Sequence, residues 1–149
     1  MRTLFCALFI LLFATNCTNT SKKEQPKTQP GADKNERGCI PSAGYRWSGV
    51  LKMCIKPFEE GVQFVNYGVN ADSTLAAYVV SSKDHKQVEI FSPKTKKPLI
   101  LSEVKVIEGD IAPILFENQK EEMAIVRSKD VFYIRYKKEL IYTANKLYN

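Results

Sequence analysis

Thiols and imidazole have the widest chemical range of any side chains, and this sequence holds few of them: Cys6, Cys17, Cys39, Cys54 and His85. A zinc site draws about four nitrogen or sulfur ligands from short spacings. Cys39 and Cys54 are too far apart for that, and also for the C-x-x-C pattern of a redox pair. His85 stands in "SSKDHK" between two apolar runs and reads as a solvated hairpin tip. A catalytic histidine needs a nucleophile and an orienting partner, and the sequence supplies neither recognisably. Ser102 to Lys105 has the S-x-x-K spacing in which a lysine activates a serine, but it lies in a strand-like run without companion motifs. Glu59-Glu60 and Glu121-Glu122 are adjacent carboxylates. Neighbours on a strand point to opposite faces, whereas a glycosidase pair flanks one bond. No glycine-rich phosphate loop or calcium-loop spacing occurs. The expectation is a chain with no catalytic residue, no metal and no cofactor, whose cysteines must be read from the compartment.

The start of the chain indicates that compartment. Arg2 precedes "LFCALFILLFA", an apolar run from Leu4 to Ala14. This suits the core of a signal peptide and is shorter than the roughly 20 residues of a membrane-spanning helix. "ATNC", Ala14 to Cys17, follows at once and resembles the lipobox of bacterial lipoproteins, in the relaxed form of Bacteroidota. Ala14 stands where Leu is usual, and Asn16 where a smaller residue is usual. The resemblance implies that residues 1–16 are a signal peptide, that the Cys17 thiol receives a diacylglycerol, and that its new amino group is acylated with a palmitate-type chain. Each buried methylene contributes about 0.8 kcal/mol, so several chains on one residue hold a protein firmly. The expected location is the bacterial cell envelope, lipid-anchored at the outer membrane. Cys6 then leaves with the signal and Cys17 is consumed. Cys39 and Cys54 remain in an oxidising compartment and read as one disulfide, which should contribute about 3 kcal/mol for a loop of this length.

Residues 17–37 are rich in Lys, Thr, Gln, Asn, Ser and Pro without apolar periodicity, the composition of a disordered tether. A single β-domain should follow over 38–149, with a disulfide hairpin at 38–60 and a sheet core at 61–149. In the hairpin, Pro41, Gly44 and Ser48-Gly49 are turn residues and "YRW" has strand character. A short helix over "WSGVLKMC" is the alternative, weakened by Gly49. "GCIPSAGYRWSGVLKMCIKPFEEGVQF", Gly38 to Phe64, resembles a segment of small uncharacterised lipoproteins of Bacteroidota and brings no activity with it. Tyr45 and Trp47 are the candidate binding surface of this segment, because aromatic rings give large contact area at low entropy cost. The alternative is that they pack over the disulfide.

From Gly61 onward, "VQFVNY", "LAAYVVS", "KQVEIF", "PLIL", "EVKVI", "EMAIVRS", "VFYIRYK" and "ELIYT" read as strands. "SSKDHK", "SPKTKK", Lys129-Asp130 and Lys137-Lys138 read as turns between them. "IAPILFENQKEE" reads as loop or a helical turn around Pro113. The expected fold class is mainly β: a small antiparallel barrel or sandwich of about 7–8 strands, preceded by the disulfide-closed hairpin. The layout with "AAYVVSSKDHKQVEIFSP" is loosely similar to membrane-bound inhibitors of C-type lysozyme, which insert a loop into the enzyme's cleft. Their late tryptophan-lysine-glycine stretch is absent, so no inhibitory residue is carried over.

The formal charge of +6 falls to about +5 once Arg2 is removed with the signal, and it is densest at "KTKK" (Lys94 to Lys97) and "RYKK" (Arg135 to Lys138). Export argues against nucleic acid and leaves a protein or glycan partner, such as an anionic envelope polymer, beside the membrane itself. The expected function is a non-enzymatic binding or interaction domain, with an accessory role in an outer-membrane complex as the alternative.

Overall fold

The computed structural model of the chain describes residues 33–68, 75–106, 109 and 113–148. Cys17, the signal peptide and most of the tether lie outside these residues. The described part is a two-stranded hairpin followed by a closed antiparallel barrel. A short 3-10 turn, Pro41–Ala43, leads into β1 (Arg46–Ser48), β2 (Met53–Ile55) and the single helical turn α1 (Pro57–Glu60). The barrel comprises β3 (Val62–Asn66), β4 (Ala77–Ser81), β5 (Gln87–Phe91), β6 (Leu99–Glu103), β7 (Ile114–Asn118), β8 (Met123–Ser128), β9 (Val131–Tyr136) and β10 (Glu139–Ala144). Each strand pairs with its sequence neighbour, and β10 returns to β3 through Tyr142↔Asn66 and Thr143↔Val65. Closure decides between barrel and sandwich and leaves the barrel without a free edge.

Alternation drives the closure. Val62 and Phe64 on β3, Val79 on β4, Ile90 on β5, Leu101 on β6, Phe116 on β7, Ile125 on β8 and Ile134 on β9 all turn inward. Together with Met123 and Tyr142 they fill the interior, as side chains do in a barrel of this strand number. Two turns follow the sequence directly. Lys129-Asp130 links Ser128↔Val131, and Lys137-Lys138 links Tyr136↔Glu139, with both lysines at positive φ (49° and 71°). Positive φ at both central positions suits the twist of a tight hairpin.

Two segments differ from expectation. "EVKVI" is not a separate strand: β6 runs from Leu99 through Glu103 and the chain then leaves the ladder, after the Val104 N–H bonds the Leu115 carbonyl. "IAPILFENQKEE" holds a full strand, β7, because Pro113 stands just before its first residue, where it needs only to accept, from the Arg127 N–H of β8 at 3.1 Å. Asn118, the last residue of β7, also donates through its side chain to the Ile100 carbonyl at 2.9 Å.

The hairpin is held at both ends. Cys39 and Cys54 form a disulfide. Asp33 accepts from the Ser42 N–H and hydroxyl, both at 2.8 Å, and Asn35 accepts from the N–H groups of Arg37 and Cys39. Residues 33–37, assigned to the tether by composition, are thus tied to the hairpin. The β1–β2 turn lies against the outer wall of the barrel. There the Glu89 carboxylate, 4% exposed, accepts from the Ser48 hydroxyl at 2.7 Å, the Gly49 N–H at 2.8 Å and the Val50 N–H at 3.4 Å. Gly49 packs closely here: a Cβ at this position would lie 2.8 Å from Ile100 Cδ1, the tip of a side chain that would have to shift. Ile55, Val80 and Phe91 form a second small core between hairpin and wall, flanked by Val50, Leu51 and Tyr78.

Candidate functional site

Where the hairpin meets the barrel it leaves a cleft of about 480 Å³. One side comes from Gly44 and Arg46, which precede and begin β1, and from Pro57 and Phe58 on α1. Tyr78 and Phe91, on the outer faces of β4 and β5, supply the floor. The β5–β6 turn closes the far side with Pro93, Lys96, Lys97 and Pro98. Local sequence explains each placement. Pro57 starts α1 with a φ already suited to a helix, so the next side chain, Phe58, projects outward and is 54% exposed. Gly44 takes φ 83° as it ends the 3-10 turn, and the Phe58 ring lies 3.2 Å from where its Cβ would be. A side chain at residue 44 would push against the ring that lines the cleft.

The cleft's charge is one-sided. Arg46, Lys96 and Lys97 line it, and among the described residues no carboxylate does. Two of its hydroxyls are engaged: Ser92 donates to the Tyr142 hydroxyl at 3.1 Å, and Thr95 donates to the Ser92 carbonyl at 3.3 Å; the Tyr78 hydroxyl also belongs to the lining. Near the Phe58 side, the Lys56 ammonium lies 5.4 Å from the Tyr45 ring centre and 5.9 Å from that of Phe58. Its hydrogen bond to Glu59 at 2.9 Å holds its pKa above the ordinary lysine value. A basic, ring-lined cleft with few hydroxyls to offer recognises negative charge and flat apolar surface.

Tyr45 and Trp47 do not line this cleft. Trp47 pairs with Cys54 on the strand face opposite Ser48, and the Arg37 guanidinium stacks on it at 5.0 Å. Tyr45 is 37% exposed beneath Lys56. The hairpin residues that reach the cleft are their neighbours, Gly44 and Arg46. The signal that pointed here was "KTKK", whose Lys96 and Lys97 are the cleft's lysines. Nothing local joined it to Arg46, Phe58 or Tyr78. "RYKK" is a separate tight turn, with Lys137 over the Tyr136 ring at 5.3 Å.

A second, smaller notch of about 360 Å³ lies beside the β4–β5 turn, lined by Leu51, Val80, Ser81, His85, Leu147 and Tyr148 among others. His85 is at the turn, as expected, with φ 56°. The Ser81 hydroxyl, 3.0 Å from its Nδ1, is a partner that sequence spacing did not reveal. The same hydroxyl reaches the Ser82 carbonyl at 3.1 Å. One proton serves only one of these acceptors, and when it goes to the carbonyl the imidazole must be the donor. The ring packs edge-on against Tyr148 at 4.7 Å. Burial, and then the negative charge of Glu103, push the Tyr148 hydroxyl above the ordinary tyrosine value. The turn itself is pinned by Asp84, which accepts from the Ser82 hydroxyl at 2.6 Å and the Lys86 N–H at 3.2 Å, and these bonds hold its pKa below the usual 3.8.

Ser102 and Lys105 stand at and just beyond the end of β6, both exposed, and not on a helix. Glu59 and Glu60 end α1, and Glu121 and Glu122 occupy the β7–β8 turn. Among the described residues no group of three or more His, Cys, Asp or Glu is placed to hold a metal ion. No protein-family model matches the chain, and neither the curated proteins nor the solved structures contain a significant match.

Proposed function

We propose that the chain is a lipid-anchored lipoprotein of the bacterial envelope whose barrel is a non-enzymatic binding module, with the cleft between hairpin and barrel as its contact surface for an anionic partner. The observation that carries this is that Arg46, Lys96 and Lys97 line one ring-lined cleft, with no carboxylate among the described lining residues. Binding rather than turnover is supported by the Ser81–His85 pair, whose serine proton is shared with a backbone carbonyl. The anchor follows from the apolar leader and Cys17 in "ATNC" and makes the membrane a covalent partner.

Two measurements test the two halves. Metabolic labelling with an alkynyl fatty acid should mark the wild-type chain and leave Cys17→Ala unmarked; equal labelling of both removes the anchor. Retention on immobilised dextran sulfate should weaken in the variant Arg46→Gln/Lys96→Gln/Lys97→Gln and survive in Lys137→Gln/Lys138→Gln. Equal loss in both variants would mean that general surface charge, and not the cleft, attracts the anion.

A further inference from the structure

Resting on that reading of the cleft, we propose that its ligand is a carboxylated oligosaccharide of the uronic-acid type. Four observations narrow the chemistry. The floor strands β4 and β5 are each paired on both sides within the closed barrel, so the floor offers no open ladder to which a peptide could add as a strand. Recognition there rests on side chains. The exposed surfaces those side chains present are flat and apolar: the rings of Phe58 and Tyr78 and the faces of Pro93 and Pro98. A pyranose ring offers a matching face of C–H groups.

The third observation is charge. Arg46 comes from β1, and Lys96 and Lys97 come from the β5–β6 turn, so two separate elements supply the cleft's positive charge. That charge favours an anion, and an arginine adds a planar fork that fits a carboxylate. The fourth is what the cleft lacks to offer. Ser92 already donates to Tyr142 of β10, and Thr95 donates within the turn, so the side-chain donors left to a ligand are the Tyr78 hydroxyl and the three cations, which bond a carboxylate more strongly than a neutral hydroxyl. Negative charge on a ring is the combination the cleft discriminates best.

The test is calorimetric titration of the full-length protein with oligogalacturonate, with its methyl-esterified form, and with polyglutamate of similar charge. Oligogalacturonate should bind, and esterification, which keeps the ring and removes the charge, should weaken binding by about tenfold or more. Phe58→Ala and Arg46→Gln/Lys96→Gln/Lys97→Gln should each lower affinity for oligogalacturonate by about tenfold, with Lys137→Gln/Lys138→Gln unchanged. Circular dichroism of each variant establishes that the barrel is intact. Polyglutamate binding as tightly, with the same dependence on the cleft cations, would overturn the sugar and leave the anion-binding cleft standing. Equal binding of the esterified form would overturn the role of charge. If no anion responds to the cleft variants, both this proposal and the reading beneath it fall.

Discussion

The barrel wall beneath the hairpin and the wall formed by β3, β10 and β9 are built from strands of similar length, yet they bury their outer faces differently. On β4 and β5 the outward Val80, Glu89 and Phe91 are buried, with Tyr78 half-buried. On β3 the outward Val65 is 43% exposed, and its cross-strand neighbour Thr143, like Tyr133 one strand further on, is only half-buried. A few residues of hairpin have turned a one-faced strand pair into a two-faced one. The outward residues under it are therefore held to core standards of packing and hydrogen bonding, while those opposite are free to vary.

The largest way to disturb the contrast is to release the lid. Replacing both Cys39 and Cys54 by serine should lower the unfolding free energy by about 3 kcal/mol, read from urea denaturation against the oxidised wild type. An unchanged midpoint would mean that contacts with the wall hold the hairpin unaided. Next comes the same substitution on each wall. Val80→Ala should cost about 2 to 3 kcal/mol, and Val65→Ala less than about 0.5 kcal/mol. Similar costs in the same denaturation assay would erase the distinction between the walls.

A smaller effect is expected at Glu89, where Gln keeps one acceptor oxygen and loses the charge that strengthens three hydrogen bonds. The expected cost is about 1 to 2 kcal/mol. Hydrogen exchange should show it as faster exchange at the Gly49 and Val50 amides, with the barrel amides protected; uniform acceleration would place the defect in the barrel instead. The smallest effect lies at the turn beside the covered wall. Asp84 has a folded pKa below 3.8, so its bonds to Ser82 and Lys86 contribute fully above that pH. The contribution disappears as pH falls through the folded value. Carboxyl carbon NMR should give Asp84 a midpoint below 3.8, returning toward 3.8 in Ser82→Ala.

The contrast between the walls also explains what could be read from the sequence. Turns at Lys129-Asp130 and Lys137-Lys138 are local events, and so is the hairpin between the two cysteines when an oxidising compartment is inferred. The disulfide and the antiparallel sheet followed from these, whereas the strand number agreed because dividing β6 in two offset the missed β7. Barrel closure did not, because Thr143↔Val65 joins residues at opposite ends of the domain and leaves no local mark. "EVKVI" alternates as a strand should, but of its described residues Lys105 and Val106 have no partner strand in the ladder. Pro113 obscured β7 because a proline one residue before a strand and one within it look alike until the ladder is seen. Glu89 reads as an ordinary outward residue in "QVEIF", and only the docked hairpin makes it a buried acceptor. The cleft was the least legible feature: Arg46, Phe58, Tyr78 and Lys96 lie on four different elements, and of these only the lysine belonged to a visible cluster.

The disulfide has a mechanical consequence too. Tension applied to the chain upstream of Cys39 passes through the sulfur bridge to Cys54 and onward into α1 and β3, bypassing the stretch from Ile40 to Met53. Gly44 and Arg46 sit in that bypassed stretch, on a slack branch beside the load path. Pro57 and Phe58, also in the cleft lining, lie on the load path itself, so a pull on the N-terminal side would shift them relative to Gly44 and Arg46.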